Sequence, residues 1–184
     1  MHPLLEKLKK DHRNLEQILS LLCTQLDNFS AGRESNFDLK IELLEYLETY
    51  ADQGHHPLEN LIYDVASKRV GDKQELLERL SSQHESLTRL TRKFRQSLES
   101  ILQDGVMMRE ELEVEGREYV ALQRQHLDLE ENEVFPLLEK VLTKADWKKI
   151  EANVPRHDDP VFEKPDQVRF RYLVSYLSEV GREQ

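Results

Sequence analysis

Two stretches of this 184-residue chain place apolar side chains alternately three and four residues apart. This is the spacing of a helix that packs along one face in a bundle. The series over residues 5–29 is unbroken once His12 is counted as a member, and His84 fills the gap between Leu80 and Leu87 in the series over residues 77–101. The pattern predicts bundle helices in which a histidine replaces one apolar residue of the buried face.

Turn signals divide the chain into four long helices. We expect the first helix to end at residues 30–33, the second to cover residues 37–69, the third to close at Asp104-Gly105 and the fourth to cover residues 108–142. Short turns between long amphipathic helices predict an all-α fold, an antiparallel up-down four-helix bundle.

Three local signals refine the second and fourth helices. Pro57 and Pro136 predict kinks, because proline lacks the N–H that a helix interior needs. Between the second and third helices, Gly71 is typical of a helix C-terminus and Asp72 of an N-cap.

By length the chain is one folding unit with a tail. We predict that residues 1–142 form the bundle and that residues 143–184 form a C-terminal helical extension. A short helix would begin after Thr143, and a last helix would cover residues 167–181. We expect the extension to pack on the outside of the bundle, or on a partner subunit in a homodimer.

Composition excludes some classes of function. With 36 acidic and 26 basic residues the formal charge is −10, so no basic surface for nucleic acid is expected. The single cysteine cannot form an intramolecular disulfide, and no apolar run approaches the roughly 20 residues of a membrane span. These features predict a cytoplasmic protein with no nucleic-acid or membrane partner.

Two histidine–glutamate pairs, His55/Glu59 and His126/Glu130, indicate metal binding. Residues four apart lie on one helix face, so each pair can offer a nitrogen and an oxygen to one point. One histidine from each of the other two helices would complete the site. The predicted metal ligands are His12, His55, Glu59, His84, His126 and Glu130. Such mixed ligands suit iron or manganese, and zinc is also compatible.

Depth along the bundle supports this grouping. At about 1.5 Å per residue, His12 and His84 lie roughly 15 and 18 Å into their helices. His55 and His126 lie roughly 21 and 24 Å before the ends of theirs, so antiparallel helices bring all four to a similar level. Two assignments stay open. His56 points about 100° away from His55 in a regular helix, and Glu131 competes with Glu130.

The chain resembles the hemerythrin-like (HHE cation-binding) family over roughly residues 4–142. The resemblance is carried by Asp11-His12, His55-His56-Pro57-Leu58-Glu59-Asn60, Gln83-His84-Glu85 and the segment HLDLEENEVFP at residues 126–136. It implies a non-haem centre of two iron ions inside the bundle, held by the six residues above, with Glu59 and Glu130 bridging.

Two departures from the oxygen-carrying members matter. The second histidine that those members have four residues after the helix-three histidine is Thr88 here, and their helix-four aspartate is a glutamate. Water, Glu48 or His56 could replace the lost nitrogen ligand. A recombinant sample could also hold zinc or a single metal.

The resemblance implies a protein that binds or senses oxygen, nitric oxide or iron, with a small diatomic molecule as its ligand. One alternative is an oxidoreductase that detoxifies peroxide or nitric oxide on the same centre. Another is a protein-interaction bundle clamped by the metal. No separate nucleophile or general base stands out in the sequence, which favours binding or sensing over catalysis.

Overall fold

The computed structural model describes residues 1–33, 36–103 and 109–180, which form helices and turns without a β-strand. The elements in chain order are α1 (Pro3–Ser30), α2 (Phe37–Tyr46), a first π-helical segment (Leu47–His55), α3 (His56–Ala66), a 3₁₀ turn (Gly71–Lys73), α4 (Gln74–Leu102), α5 (Arg109–Leu129), a second π-helical segment (Glu130–Val134), α6 (Phe135–Val141), α7 (Lys144–Glu151) and α8 (Arg171–Val180).

These elements build four long rods, and the predicted helical bundle is confirmed. The first rod is α1 and the third is α4, whereas the second joins α2 to α3 and the fourth joins α5 to α6, each through a π-helical segment. The α1 helix packs against α2 and α5, and α4 packs against the same two helices. Each rod therefore has two neighbours around a shared interior.

The interior consists of two hydrophobic clusters. The larger one includes Leu15, Ala51, Leu87 and Val120, and the smaller one includes Leu8, Leu58, Leu80 and Val134. On every rod the predicted metal ligands stand between residues of the two clusters. The polar centre is therefore a layer across the bundle, with apolar side chains above and below it.

Turns and caps agree with the sequence signals in part. Gly71 adopts a φ of +56°, a conformation that favours glycine. Asp72 lies inside the 3₁₀ turn, so the predicted N-cap is wrong, and Lys73 precedes α4 without a side-chain cap. Thr143 caps α7 in a reciprocal pair with Asp146. The predicted stop at Asp104-Gly105 lies outside the described residues.

The C-terminal residues pack on the bundle, with α7 against α3 and α8 against α2. Asp159 is fully buried and anchors the segment between them. Its carboxylate accepts hydrogen bonds from Tyr46 Oη (2.9 Å), Asn14 Nδ2 (3.3 Å) and the backbone N–H groups of Val161 and Phe162. Among the described helices, none combines the length and the apolar character that crossing a bilayer requires.

Candidate metal centre

The six residues predicted as metal ligands are all buried and meet at one level of the bundle. Together with His56 they fall into two overlapping groups, and within each group one potential ligand atom per residue lies within 4.8 Å of all the others. One group is His12, His55, Glu59 and Glu130, and the other is His56, Glu59, His84 and His126. The structure brings these side chains together, and their role as ligands stays a prediction.

Each of the two glutamates divides its oxygens between the two sets of histidines. Glu59 Oε1 lies 3.4 Å from His12 Nε2 and 3.2 Å from His55 Nε2, whereas its Oε2 lies 3.3 Å from His84 Nε2. Glu130 Oε2 lies 3.4 Å from His12 Nε2, whereas its Oε1 lies 3.2 Å from His126 Nε2 and 3.5 Å from His84 Nε2. Each carboxylate therefore faces both sets of histidines.

Hydrogen-bond acceptors outside the centre orient the histidine rings. The Nδ1 atom of His84 lies 2.8 Å from Asn60 Oδ1, and that of His126 lies 3.0 Å from Gln83 Oε1. An oxygen at Nδ1 turns the Nε2 lone pair inward and raises its basicity, as is usual for metal-binding histidines.

The other two predicted histidine ligands follow the same rule with carboxylates. His12 Nδ1 lies 3.0 Å from Glu131 Oε1, and His55 Nδ1 lies 3.4 Å from Asp11 Oδ2. Glu131 thus lies outside the centre, while Glu130 lies within it. Tyr63 Oη donates a hydrogen bond of 2.5 Å to Glu130 Oε1 and fixes that carboxylate as well.

Without a metal, protons balance the charge of the centre. Burial alone would lower the pKa of His84, but its contacts with Glu130 and Glu59 raise this pKa to about 9. The pKa of His12 is raised well above its ordinary value for the same reason, against burial. Burial and the neighbouring Glu130 raise the pKa of Glu59, yet His55 and His12 hold it well below its ordinary range. Burial raises the pKa of Glu130, yet His126 and His12 hold it well below its ordinary range as well.

An independent observation supports metal binding at this centre. His55 Nε2, Glu59 Oε2 and Glu130 Oε2 are buried, and none of them has a hydrogen-bond partner in the part of the chain that the structure describes. Buried polar atoms without a partner are costly, and these three all face the interior of the cluster. A cation would satisfy them together, since imidazole nitrogens and carboxylate oxygens are ligands for first-row metals.

Of the two side chains that the sequence offered as replacement ligands, Glu48 lies outside the centre and His56 lies within it. Glu48 pairs with Arg92 (3.3 Å) and Arg95 (2.8 Å) and does not join the centre. Thr88 Oγ1 donates to the carbonyl oxygen of His84 at 3.0 Å, so it is engaged by its own helix. His56 is buried in the second group, although a regular helix would have turned it away.

The sequence did not identify these outer acceptors, and it offered Glu131 only as an alternative ligand to Glu130. Asp11, Asn60, Gln83 and Glu131 are each adjacent in sequence to a predicted ligand, and each serves a histidine on a different rod. The signal in the sequence that could have identified them was their position directly next to a predicted ligand. A surface cavity of about 370 Å³ reaches His12 and Glu131 from solvent and provides an approach to this side of the centre.

The model of the hemerythrin HHE cation binding domain matches residues 4–138, which cover all four rods and every predicted ligand. No curated protein sequence shows significant similarity to the chain.

Proposed function

Because the chain belongs to the hemerythrin HHE cation-binding family, we propose that it is a non-haem di-iron protein that binds or senses oxygen, nitric oxide or iron. One observation carries the proposal. Glu59 and Glu130 each turn one oxygen toward His12 and the other toward His84. One cation chelated by both oxygens of a carboxylate would lie on one side of it, whereas oxygens that face two sets of histidines suit one cation beside each set.

Two iron ions in this centre would supply exchange between ferrous and ferric forms and a coordination position for a small ligand. The protein supplies the rest. His12 and His55 would hold one ion, His84 and His126 the other, and the two glutamates would offset the positive charge. The two hydrophobic clusters keep bulk water away, which strengthens these electrostatic interactions.

The surface cavity beside His12 supports the proposal that a small ligand reaches the centre. It opens on the His12 side of the centre and is bordered by Arg124 and Glu131. Inside the centre the side chains lie close together, for example His84 Nε2 and His126 Nε2 at 2.9 Å, which favours a diatomic molecule over an organic substrate. Oxygen and nitric oxide are therefore the proposed ligands.

The proposal is tested with protein loaded anaerobically with ferrous iron and then titrated with nitric oxide or oxygen. We expect a saturable change in the visible spectrum of the wild-type protein. His126→Ala should lose this change together with at least one iron per chain, while its helical circular dichroism remains. Gln125→Ala, which alters the exposed neighbour of His126 on the same helix, serves as the control. An unchanged response in His126→Ala would contradict the proposal.

Turnover is measured on the same samples. Binding or sensing predicts a stoichiometric response to nitric oxide and peroxide. Continuous consumption of either molecule over many equivalents would instead identify an oxidoreductase on this centre.

A further inference from the structure

His56 is a buried histidine whose Nε2 makes neither a hydrogen bond nor an ion pair among the described residues. It is 2% exposed, and neither ring nitrogen has a hydrogen-bond partner among the described residues. Buried imidazoles are normally satisfied at both nitrogens. A buried histidine without hydrogen bonds is costly unless its ring binds another group. The side chains around His56 indicate which group that is.

The neighbours of His56 are the second group of the metal centre. A ligand atom of His56 lies within 4.8 Å of ligand atoms of Glu59, His84 and His126. The His56 ring stacks on the His84 ring at a centroid distance of 4.2 Å, and it lies edge-on to the His126 ring at 5.6 Å. His84 Nε2 and His126 Nε2 are 2.9 Å apart. The three rings therefore converge on one position.

The orientation of His56 matches that of the other histidines in the centre. Its Nδ1 lies 3.3 Å from Asp52 Oδ1, one helical turn earlier, so its Nε2 is the nitrogen left for the interior. All five histidines thus have an oxygen near Nδ1. A carboxylate beside Nδ1 of a metal-bound imidazole is a common arrangement.

The backbone explains how two adjacent residues both reach the centre. His55 ends the first π-helical segment and His56 begins α3. A π-helical turn holds more residues than an α-helical turn, so adjacent side chains diverge less around the axis. Pro57 follows directly and cannot donate the backbone hydrogen bond that would restore a regular helix through this point.

We propose that His56 is the third nitrogen ligand of the second metal ion, beside His84 and His126, and that Asp52 positions its ring. His56 thereby supplies the nitrogen that Thr88 cannot. The inference rests on the proposed two-metal function, and it assigns the second ion three histidines while the first keeps His12 and His55.

The test is the number of ferrous ions bound by wild-type protein and by His56→Ala in an anaerobic titration. Wild type should bind two ions tightly. His56→Ala should bind one ion tightly, and its second site should be at least about 10-fold weaker than that of wild type. Thr88→Ala is the matched control and should bind two. In the double variant His56→Ala/Thr88→His, a histidine one turn after His84 should restore the second ion.

A second measurement uses the intact protein and is independent of variant folding. In the ferrous protein, each coordinated histidine gives a paramagnetically shifted ring N–H proton signal. We expect five such signals, and four would overturn the assignment of His56. Asp52→Asn should weaken only the second ion by about 10–100-fold, whereas Gln53→Ala, on the exposed side of the same turn, should weaken neither.

The outcomes separate this inference from the proposed function. Two ions in wild type and two equally tight ions in His56→Ala would overturn the role of His56 and leave the two-metal centre standing. Fewer than two ions in wild type would instead remove the premise of both.

Discussion

At the scale of single residues, the centre contains buried carboxylates whose negative charge must be neutralised by a cation or by protonated histidines. Glu59 and Glu130 are fully buried, and their pKa values lie well below the ordinary range, against burial, because of the surrounding histidines. Metal binding must therefore displace protons from the histidines.

The first prediction concerns the pH dependence of the metal-free protein. The pKa of His84 rises from 6.5 to about 9 on folding, so protonation of His84 stabilises the fold fully below pH 6.5. This stabilisation is lost as the pH rises through 9. His12 and His55 shift in the same direction. Metal-free protein should therefore unfold at a lower temperature at pH 9 than at pH 6.5.

Calorimetry at several pH values measures this dependence, with the iron-loaded protein as the comparison. Because the metal replaces the protons, the unfolding temperature of the loaded protein should decrease much less between pH 6.5 and pH 9. A metal-free protein with constant stability from pH 6.5 to 9 would contradict the charge balance described here.

The sequence placed the six predicted ligands near one another, because spacing along a helix determines which residues share a face, and the structure brings them together along with His56. It could not fix the position of His56, since the regular-helix geometry used for that prediction does not hold at residues 47–55. It also left Glu130 and Glu131 in competition. Their separation depends on the second π-helical segment, where Glu130 faces inward and Glu131 faces His12 Nδ1.

At the scale of elements, the two composite rods are distinguished by their π-helical segments. Each segment ends directly before an α-helix with proline in its first turn, at Pro57 in α3 and Pro136 in α6. The sequence predicted irregularity at both prolines, but it did not predict its form. Bonding between residues five apart has no sequence pattern comparable to the three–four spacing of apolar residues.

The helices of the larger hydrophobic cluster approach each other closely at Gly116. A Cβ atom at this position of α5 would lie 2.7 Å from Leu26 Cδ1 and 2.8 Å from Phe94 Cζ. Those side chains belong to α1 and α4, so the absence of a side chain at Gly116 lets three helices meet.

The second prediction follows from this contact. Gly116→Ala should lower the free energy of unfolding by up to about 2 kcal/mol, because overpacking costs about 1–3 kcal/mol and the gain in helix propensity offsets only about 1 kcal/mol. Val114→Ala, at a position on the same helix that is 54% exposed, is the control. Denaturant unfolding decides the result, and a variant more stable than wild type would show that the three helices can move apart without cost. Metal binding should not change.

At the scale of the whole molecule, the C-terminal residues close one side of the metal layer. A small cavity of about 20 Å³ separates His55 and Asp11 from Pro155 and His157. His157 Nε2 lies 3.0 Å from the carbonyl oxygen of Thr49, in the first π-helical segment. The sequence predicted the extension and its packing on the bundle or a partner, but not which part of the bundle it covers, because that depends on contacts between distant residues.

The third prediction tests this closure. Asp159→Ala removes the acceptor of Tyr46 Oη and two backbone N–H groups, so it should cost on the order of 2–3 kcal/mol of stability. It should also increase the rate at which a ferrous chelator removes iron, by about 3–10-fold, because the segment over His55 opens more often. Asp158→Ala is the matched control, since Asp158 is exposed and pairs with Lys164. Equal release rates in both variants would contradict a covering role.

The most direct test of the central claim is the iron content of wild-type protein that has been loaded anaerobically with ferrous iron and freed of excess metal. The division of the Glu59 and Glu130 oxygens between two sets of histidines predicts two iron ions per chain. One ion per chain, or none, would contradict the two-metal centre.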